Sequence, residues 1–363
     1  MHRFIALMAV AFLPALVPAQ NEKTVRIAVA GLVHGHVEDF LFRPAQARKD
    51  VEIVGIFEPD TALAGTIAKK YRLPESVLFT DLETMLDRVH PDAVATFTNT
   101  FDHTKVVEAA APRHLPVMME KPMAVSMEHA RRIQRAAQQS GIQVVVNYET
   151  SWYASHNEIW DLIKKKNAAG GIRRMVAMDG HEGPKEIHVG PEFLAFLRDP
   201  VLNGAGALFD FGCYGANLMT WLMDGQRPKS VIAMTRQIKP DIYPNVDDDA
   251  TILLEYPKAD GVIEASWNWP FNRKDLEVYA ERGYAIATGG NSLRLRMPDR
   301  KEETRALKPL AGDERDALSY FVAVARGTRQ STGLSSLENN VIVTEILEAA
   351  RESARTGNKV DLK

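Results

Sequence analysis

The sequence predicts an α/β chain in two parts: an N-terminal doubly wound parallel sheet, then a C-terminal α+β part with an open-faced mixed, mostly antiparallel sheet. Three observations predict it. Over the first 150 residues, short and nearly continuous apolar runs alternate with helical stretches, the pattern of strands buried on both faces and joined by crossover helices. Beyond that, several runs alternate apolar with polar residues at short spacing, as strands with one wet face do. A chain of 363 residues, 45% apolar and 25% charged, has the length of about two globular domains.

The elements follow in order. A first strand over 25–30 ends at Gly31, and a helical stretch runs on to 48. A second strand over 51–57 leads to a helix over 61–71 and a short strand at 78–79. Asp81 caps a helix reaching 89, as a short acid before an apolar-periodic run does. A strand over 93–97, a helix over 103–113 and a strand over 117–119 come next. Ser126 then caps a helix to 140, and a strand over 144–146 closes the series. In the second part, strands are predicted over 174–178, 230–237, 250–256, 261–267 and 276–280. One helix over 203–224 interrupts them, and helices near 315–326 and 337–355 end the chain. The resulting domains are 20–148 and 149–363.

Residues 1–19 stand apart. His2 and Arg3 precede an apolar run over 4–17, and Val17 and Ala19 set small residues before a cleavage point at Gln20. This reads as a Sec-type signal peptide, and a run of about 14 residues is too short to span a bilayer. Export to the periplasm or beyond is expected, with no membrane span. The lone Cys213 makes no internal disulfide. With Lys+Arg 44 against Asp+Glu 47, the formal charge of -3 supplies no field to hold nucleic acid. No metal site is expected: Asp247-Asp248-Asp249 reads as a loop leading into a strand.

In an open parallel sheet a ligand lies beyond the carboxyl ends of the strands. The first strand ends in Gly31-Leu32-Val33-His34-Gly35-His36. A dinucleotide fingerprint asks for glycine at 31, 33 and 36; only Gly31 complies, and Gly35 is off register. The helix N-terminus still offers N–H groups to a pyrophosphate, which makes Gly31, Val33, His34, Gly35 and His36 candidate cofactor residues. The alternative is an ordinary strand–helix turn with both histidines on the surface. Glu58, ending the second strand, suits an adenosine ribose and repels a 2′-phosphate, favouring NAD over NADP. Thr98, Asn99 and His103 after the fourth strand, and Glu120 and Lys121 after the fifth, face the same crevice. Pro122 stiffens Lys121, whose ammonium can steer a substrate hydroxyl.

Glu120-Lys121-Pro122, Asn99 with His103, the stretch from Gly204 through Asp210 and Gly212 to Tyr214, and the closing run from Ser336 to Gly357 together resemble one family. It is the glucose–fructose oxidoreductase / inositol dehydrogenase / rhizopine-catabolism (Gfo/Idh/MocA) family, and the resemblance covers nearly all the chain after residue 19. It implies a Rossmann domain followed by an open-faced sheet domain that pairs between subunits into a homo-oligomer. It implies a nicotinamide cofactor and hydride exchange with a sugar, polyol or small diol. It makes Lys121 a substrate-orienting catalytic group, Asp210 a substrate or lysine contact, and Tyr214 the acid–base residue, where many members have histidine.

The residues themselves make that chemistry workable. A phenol loses its proton near pH ~10, and a neighbouring Lys121 ammonium would lower that value. Asp210 and Tyr214 stand four apart on the predicted helix and so share a face. His181, Glu182 and His188 lie in a segment that could line the pocket or weakly bind a metal. Export sets a further condition, because nicotinamide cofactors are cytoplasmic. The expected activity is a nicotinamide-dependent oxidoreductase of a sugar, polyol or related secondary alcohol with a non-exchanging cofactor. An NAD-retaining, redox-neutral glycosidase and an exported carbohydrate-binding protein without cofactor are the alternatives.

Overall fold

The computed structural model describes residues 23–362, so the expected leader over 1–19 lies outside the described residues. Strands β1 (Val25–Ala30), β2 (Val51–Phe57), β3 (Leu78–Phe79), β4 (Ala93–Thr96), β5 (Val117–Glu120) and β6 (Val144–Asn147) form one sheet in the order β3-β2-β1-β4-β5-β6. Every pairing in it is parallel. Successive side chains of a strand face opposite ways, and β1 shows it: Ile27 and Val29 enter one core cluster, Ala28 and Ala30 the other. Covering both faces is what makes these strands read as continuous apolar runs. The order reverses between β1 and β4, and that switch point opens a crevice at the strand ends. Helices start where short polar residues catch free N–H groups: Asp60 at Ala62 and Leu63, Asp81 at Thr84, Ser126 at His129.

The second sheet has nine strands. They are β7 (Ile172–Gly180), β8 (Ser230–Arg236), β9 (Asp249–Glu255), β10 (Asp260–Ser266), β11 (Arg273–Ala280), β12 (Tyr284–Thr288), β13 (Ser292–Arg296), β14 (Glu303–Ala306) and β15 (Val360–Asp361), ordered β14-β13-β12-β11-β7-β10-β9-β8-β15. Only β7 with β10 is parallel; the other pairings are antiparallel. The helix Gly212–Leu222 presses on this sheet so closely that a Cβ on Gly215 would meet Ile263 at 2.7 Å and Ala177 at 2.9 Å. The opposite face leaves Ile232, Met234 and Leu253 exposed. No helix among the described residues is long and apolar enough to cross a membrane.

Three local expectations are corrected. The predicted helix over 203–224 is broken at Phe211 into Ala207–Asp210 and Gly212–Leu222. Its first turn is fixed from outside, by the Asp247 carboxylate accepting from Gly206 N (2.9 Å) and Leu208 N (2.7 Å). The helical stretch after β1 opens as a wide π turn, Glu38–Phe42, before Arg43–Gln46. Strands β12 to β14 and the helix Ala154–Trp160 were not predicted. β13 buries only Leu293 and Leu295 of its five residues, too short an alternation to stand out from the sequence.

Candidate active site

Two cavities flank the β1 loop, one on each side of His34. The smaller, ≈ 210 Å³, lies among Gly31, Val33, Phe57, Glu58, Thr98, Asn99 and Lys105. The larger, ≈ 500 Å³, lies between the two sheets and is lined by Gly35, His36, Lys121, Glu149, His181, Phe193, Asp210, Tyr214 and Lys274, among others. The fold therefore brings Lys121, Asp210 and Tyr214 to one space, although they come from opposite halves of the chain.

Lys121 stands at the carboxyl end of β5, before a cis bond to Pro122. Its ammonium donates to Asp210 Oδ1 (2.5 Å) and to the Asp210 carbonyl (3.0 Å). The second carboxylate oxygen of Asp210 accepts from Trp267 Nε1 at 2.9 Å. Burial opposes both charges, but the pairing wins on each side: the Lys121 pKa is raised and the Asp210 pKa lowered. An ammonium so held is rigid and largely neutralised.

That pairing corrects the expectation for Tyr214. The Lys121 nitrogen is 5.0 Å from the centre of the Tyr214 ring, yet the phenol pKa is raised well above its ordinary value. Burial is the main cause, and the charge of Glu149 adds to it. Tyr214 is 2% exposed, and its hydroxyl forms no hydrogen bond among the described residues, so it is a protonated donor with an open direction into the cavity. The break at Phe211 also means that Asp210 and Tyr214 reach the cavity from two helices rather than from one face.

The cofactor candidates separate into groups. Gly31, Val33, Glu58, Thr98 and Asn99 line the small cavity, and Gly35, His36 and Lys121 the large one. Gly31 meets its backbone requirement: φ is +83°, and a Cβ there would stand 2.5 Å from Thr98 Cγ2. Both Glu58 oxygens accept main-chain N–H groups, of Leu32 (2.8 Å) and Asp60 (2.9 Å), and each keeps a second lone pair for a hydroxyl. Burial raises the Glu58 pKa against those two bonds. Asn99 is engaged with Asp102 through Nδ2 (2.8 Å) and Oδ1 (3.0 Å). His103 is corrected: it lines neither cavity and sits behind the Lys121–Pro122 turn, bonded to the Met123 carbonyl at 3.2 Å. Burial lowers its pKa to about 4.

Of the two histidines, only His34 is corrected as a surface group; His36 is half-exposed. His34 is 3% exposed, its ring 4.2 Å from that of Phe193, which reaches over from the helix Pro191–Leu197. His36 Nδ1 lies 3.0 Å from Glu120 Oε2, and Asn147 Nδ2 donates to Glu120 Oε1 at 2.6 Å. No metal ligands were expected, yet one ligand atom from each of His34, His36 and Glu120 lies within 4.8 Å of the others. Asp247 and Asp248 do cap backbone, as a loop would, at Gly206, Leu208, Ile238 and Lys239.

Four site residues went unnoticed or underweighted in the sequence. Lys274 donates to Glu149 Oε2 at 2.9 Å, and its nitrogen is 5.5 Å from the Tyr214 ring centre. It faces the core in phase with Leu276 and Val278; a lysine in the buried phase of a strand was the available signal. Asp179 lies opposite Lys274 in the ladder, in phase with Ala177 and Met175, fully buried, and neither of its oxygens has a hydrogen bond among the described residues. Burial raises its pKa well above the carboxylate range against the pull of Lys274. His181 accepts from Gly183 N at Nδ1 (2.9 Å), and burial lowers its pKa to about 4. It is neutral, with its remaining proton on Nε2.

The groove fits a dinucleotide at both ends, an adenosine berth with a carboxylate on one side and a polar, lysine-bearing cavity on the other. Fold and groove together define a dinucleotide-binding oxidoreductase built on a Rossmann sheet with a mixed-sheet partner domain. A family model for an oxidoreductase family with an NAD-binding Rossmann fold matches residues 25–148, and the same family's C-terminal domain matches 158–286. The chain belongs to the Gfo/Idh/MocA family of NAD(P)-dependent oxidoreductases. It is 23% identical over 327 residues, 88% of this chain and 94% of the other, to D-xylose 1-dehydrogenase (NADP(+)) 2 of Haloferax volcanii. With trans-1,2-dihydrobenzene-1,2-diol dehydrogenase of Macaca fuscata fuscata it shares 22% over 210 residues, and the match spans 58% of the length of each. In fold it is similar to an aldose-aldose oxidoreductase from Caulobacter crescentus complexed with glycerol (TM-score 0.78, 20% identity, 94% of this chain and 100% of that one). It is likewise similar to an inositol dehydrogenase homolog complexed with NAD+ from Azotobacter vinelandii (TM-score 0.80, 19% identity, 94% and 98%).

Proposed function

We propose that this chain interconverts a secondary alcohol of a sugar, polyol or related diol with its ketone, using NAD. The observation that carries the reading is the convergence of Lys121, Asp210 and Tyr214 on one cavity beside the nucleotide loop. Relatives named for xylose and for a dihydrobenzene diol support the substrate class. When bound, the nicotinamide supplies or accepts the hydride. The chain's own residues handle the oxygen and its proton. Lys121, immobilised by Asp210, orients and polarises the substrate oxygen. Tyr214, a buried phenol, donates a proton to that oxygen in reduction and takes it back in oxidation. Because its pKa is raised, reduction is served by the resting state, whereas oxidation gains as pH rises.

Tyr214→Phe tests this directly. It should lower kcat by about 10²–10⁴ with KM changed little and the melting temperature preserved. Full turnover in that variant would overturn the assignment.

Glu58 supports NAD over NADP as the preferred cofactor. The roofed loop supports a cofactor that does not exchange: Phe193 covers His34, and a Cβ on Gly35 would stand 3.2 Å from it. A helix Pro191–Leu197 that moved aside for a pyrophosphate and closed back over it would retain the cofactor. That suits an exported protein, which the leader pattern of residues 1–19 supports. A tightly held dinucleotide released only on denaturation, read by mass spectrometry of protein from its native compartment, is the expected result. The apolar stripe of Ile232, Met234 and Leu253 on the open face supports pairing between subunits, to be read by sedimentation.

A further inference from the structure

The nucleotide loop departs from the glycine fingerprint at Val33 and His36, and the side chain of the second departure is aimed at a carboxylate. We propose that His34, His36 and Glu120 form a binding site for a divalent transition-metal ion that opens on the larger cavity. One ligand atom from each residue lies within 4.8 Å of the others, and the His36–Glu120 pair is already 3.0 Å apart. Ligands with metal bonds of ~2.0–2.1 Å stand about 3.3 Å apart around a tetrahedral ion; the His36–Glu120 pair is already near that spacing, and the half-exposed His36 ring has room to adjust.

The other two ligands are held in advance. Glu120 is 1% exposed. Asn147 donates to its Oε1 at 2.6 Å, and Trp152 Nε1 donates to Asn147 Oδ1 at 3.0 Å. Such a relay fixes a ligating carboxylate and leaves its other oxygen turned to the ion. His34 is wedged by Phe193 and Phe196, with ring centres 4.2 and 5.8 Å away.

Three protein ligands leave coordination positions open, as reactive rather than closed structural sites do. Two imidazoles and one carboxylate suit Zn²⁺, Mn²⁺, Fe²⁺ or Co²⁺ better than Mg²⁺ or Ca²⁺, which favour oxygen donors. His36 lines the cavity that holds Lys121, Asp210 and Tyr214, so the open positions face the substrate space. There the ion takes two adjacent oxygens, as in a vicinal diol or an α-hydroxy ketone. That choice of ligand rests on the proposed function; the metal site does not.

The test is a titration of chelator-treated full chain with Zn²⁺ and, separately, Co²⁺, without dinucleotide or sugar. One equivalent should bind, and bound Co²⁺ should show visible ligand-field absorption. His36→Ala and Glu120→Gln should each weaken binding by about 100-fold or more, and Trp152→Phe, one step out, by about 10-fold. His188→Ala, at an exposed histidine, should change nothing. Absence of stoichiometric binding in the parent chain overturns the proposal, as does unchanged affinity in a folded His36→Ala variant. Neither result depends on turnover, so loss of the metal site leaves the Tyr214 test standing, and the reverse holds too.

Discussion

The two cavities beside the β1 loop are built in opposite ways. The small one draws every wall from residues 31–106, the ends of strands in a single parallel sheet and the helix that follows β4. The large one takes His36 and Lys121 from that sheet but Glu149, His181, Asp210, Tyr214 and Lys274 from elsewhere in the chain. The first is a property of one sheet's topology, since any switch point opens a crevice there. The second exists only when two halves dock, and its electrostatics are those of buried pairs. The proposed chemistry falls in the cavity that costs more to assemble.

Breaking the large cavity should therefore have the greatest effect. Lys121→Met leaves Asp210 buried without its cation, which should remove about 3–5 kcal/mol of stability by denaturant unfolding and all measurable turnover. Adding Asp210→Asn should recover part of the stability and none of the turnover. If Lys121→Met keeps both, the pair has been misjudged. In the small cavity, Gly31→Ala sets a Cβ against Thr98 at a positive φ. Strain and overpacking should together cost about 3 kcal/mol and weaken dinucleotide binding; an unaltered unfolding midpoint would show that β1 and β4 separate easily.

His103 sits behind the turn that serves the large cavity, and its effect is smaller and depends on pH. Its folded pKa of about 4 lies below the unfolded value of ~6.5. Below pH 6.5 the unfolded chain binds a proton that the folded chain refuses, so stability is lost as pH falls through that window. Asn cannot titrate. The stability gap between the parent chain and His103→Asn should therefore narrow by about 2 kcal/mol between pH 7.5 and 5; a constant gap would place the imidazole in water. The smallest effect is expected at Lys105, which shares the adenosine cavity with Glu58. Lys105→Ala should raise KM for NADP a few-fold more than KM for NAD. Equal changes would remove Lys105 from any role at the ribose.

Much of this was legible in the residues. The parallel sheet could be read because strands covered on both faces carry unbroken apolar runs, as Val25–Ala30 does. The caps at Asp81 and Ser126 could be read because an N-cap acts within three residues. Gly31, Lys121, Asp210 and Tyr214 were picked out by motif, and the fold gathers the last three. Misreadings cluster where distant groups decide the outcome. The first turn of Ala207–Asp210 depends on Asp247, the protonation of Tyr214 on burial and Glu149, and the seclusion of His34 on Phe193. Lys274 and Asp179 were overlooked although each lies in the buried phase of its strand, because a charged residue there reads as an interruption until its partner is known.

The sequence by itself determined the order of strands and helices in the parallel-sheet domain, the crevice at their ends and the residue types that face it. Periodicity, caps and turns act over a few residues, and topology follows from them. Tertiary structure alone decided the charge states and partnerships. Lys121 meets Asp210 across 89 residues and His36 meets Glu120 across 84. No local pattern encodes such distances, and it is burial in the folded core that keeps the Tyr214 phenol protonated and lowers the pKa of His103.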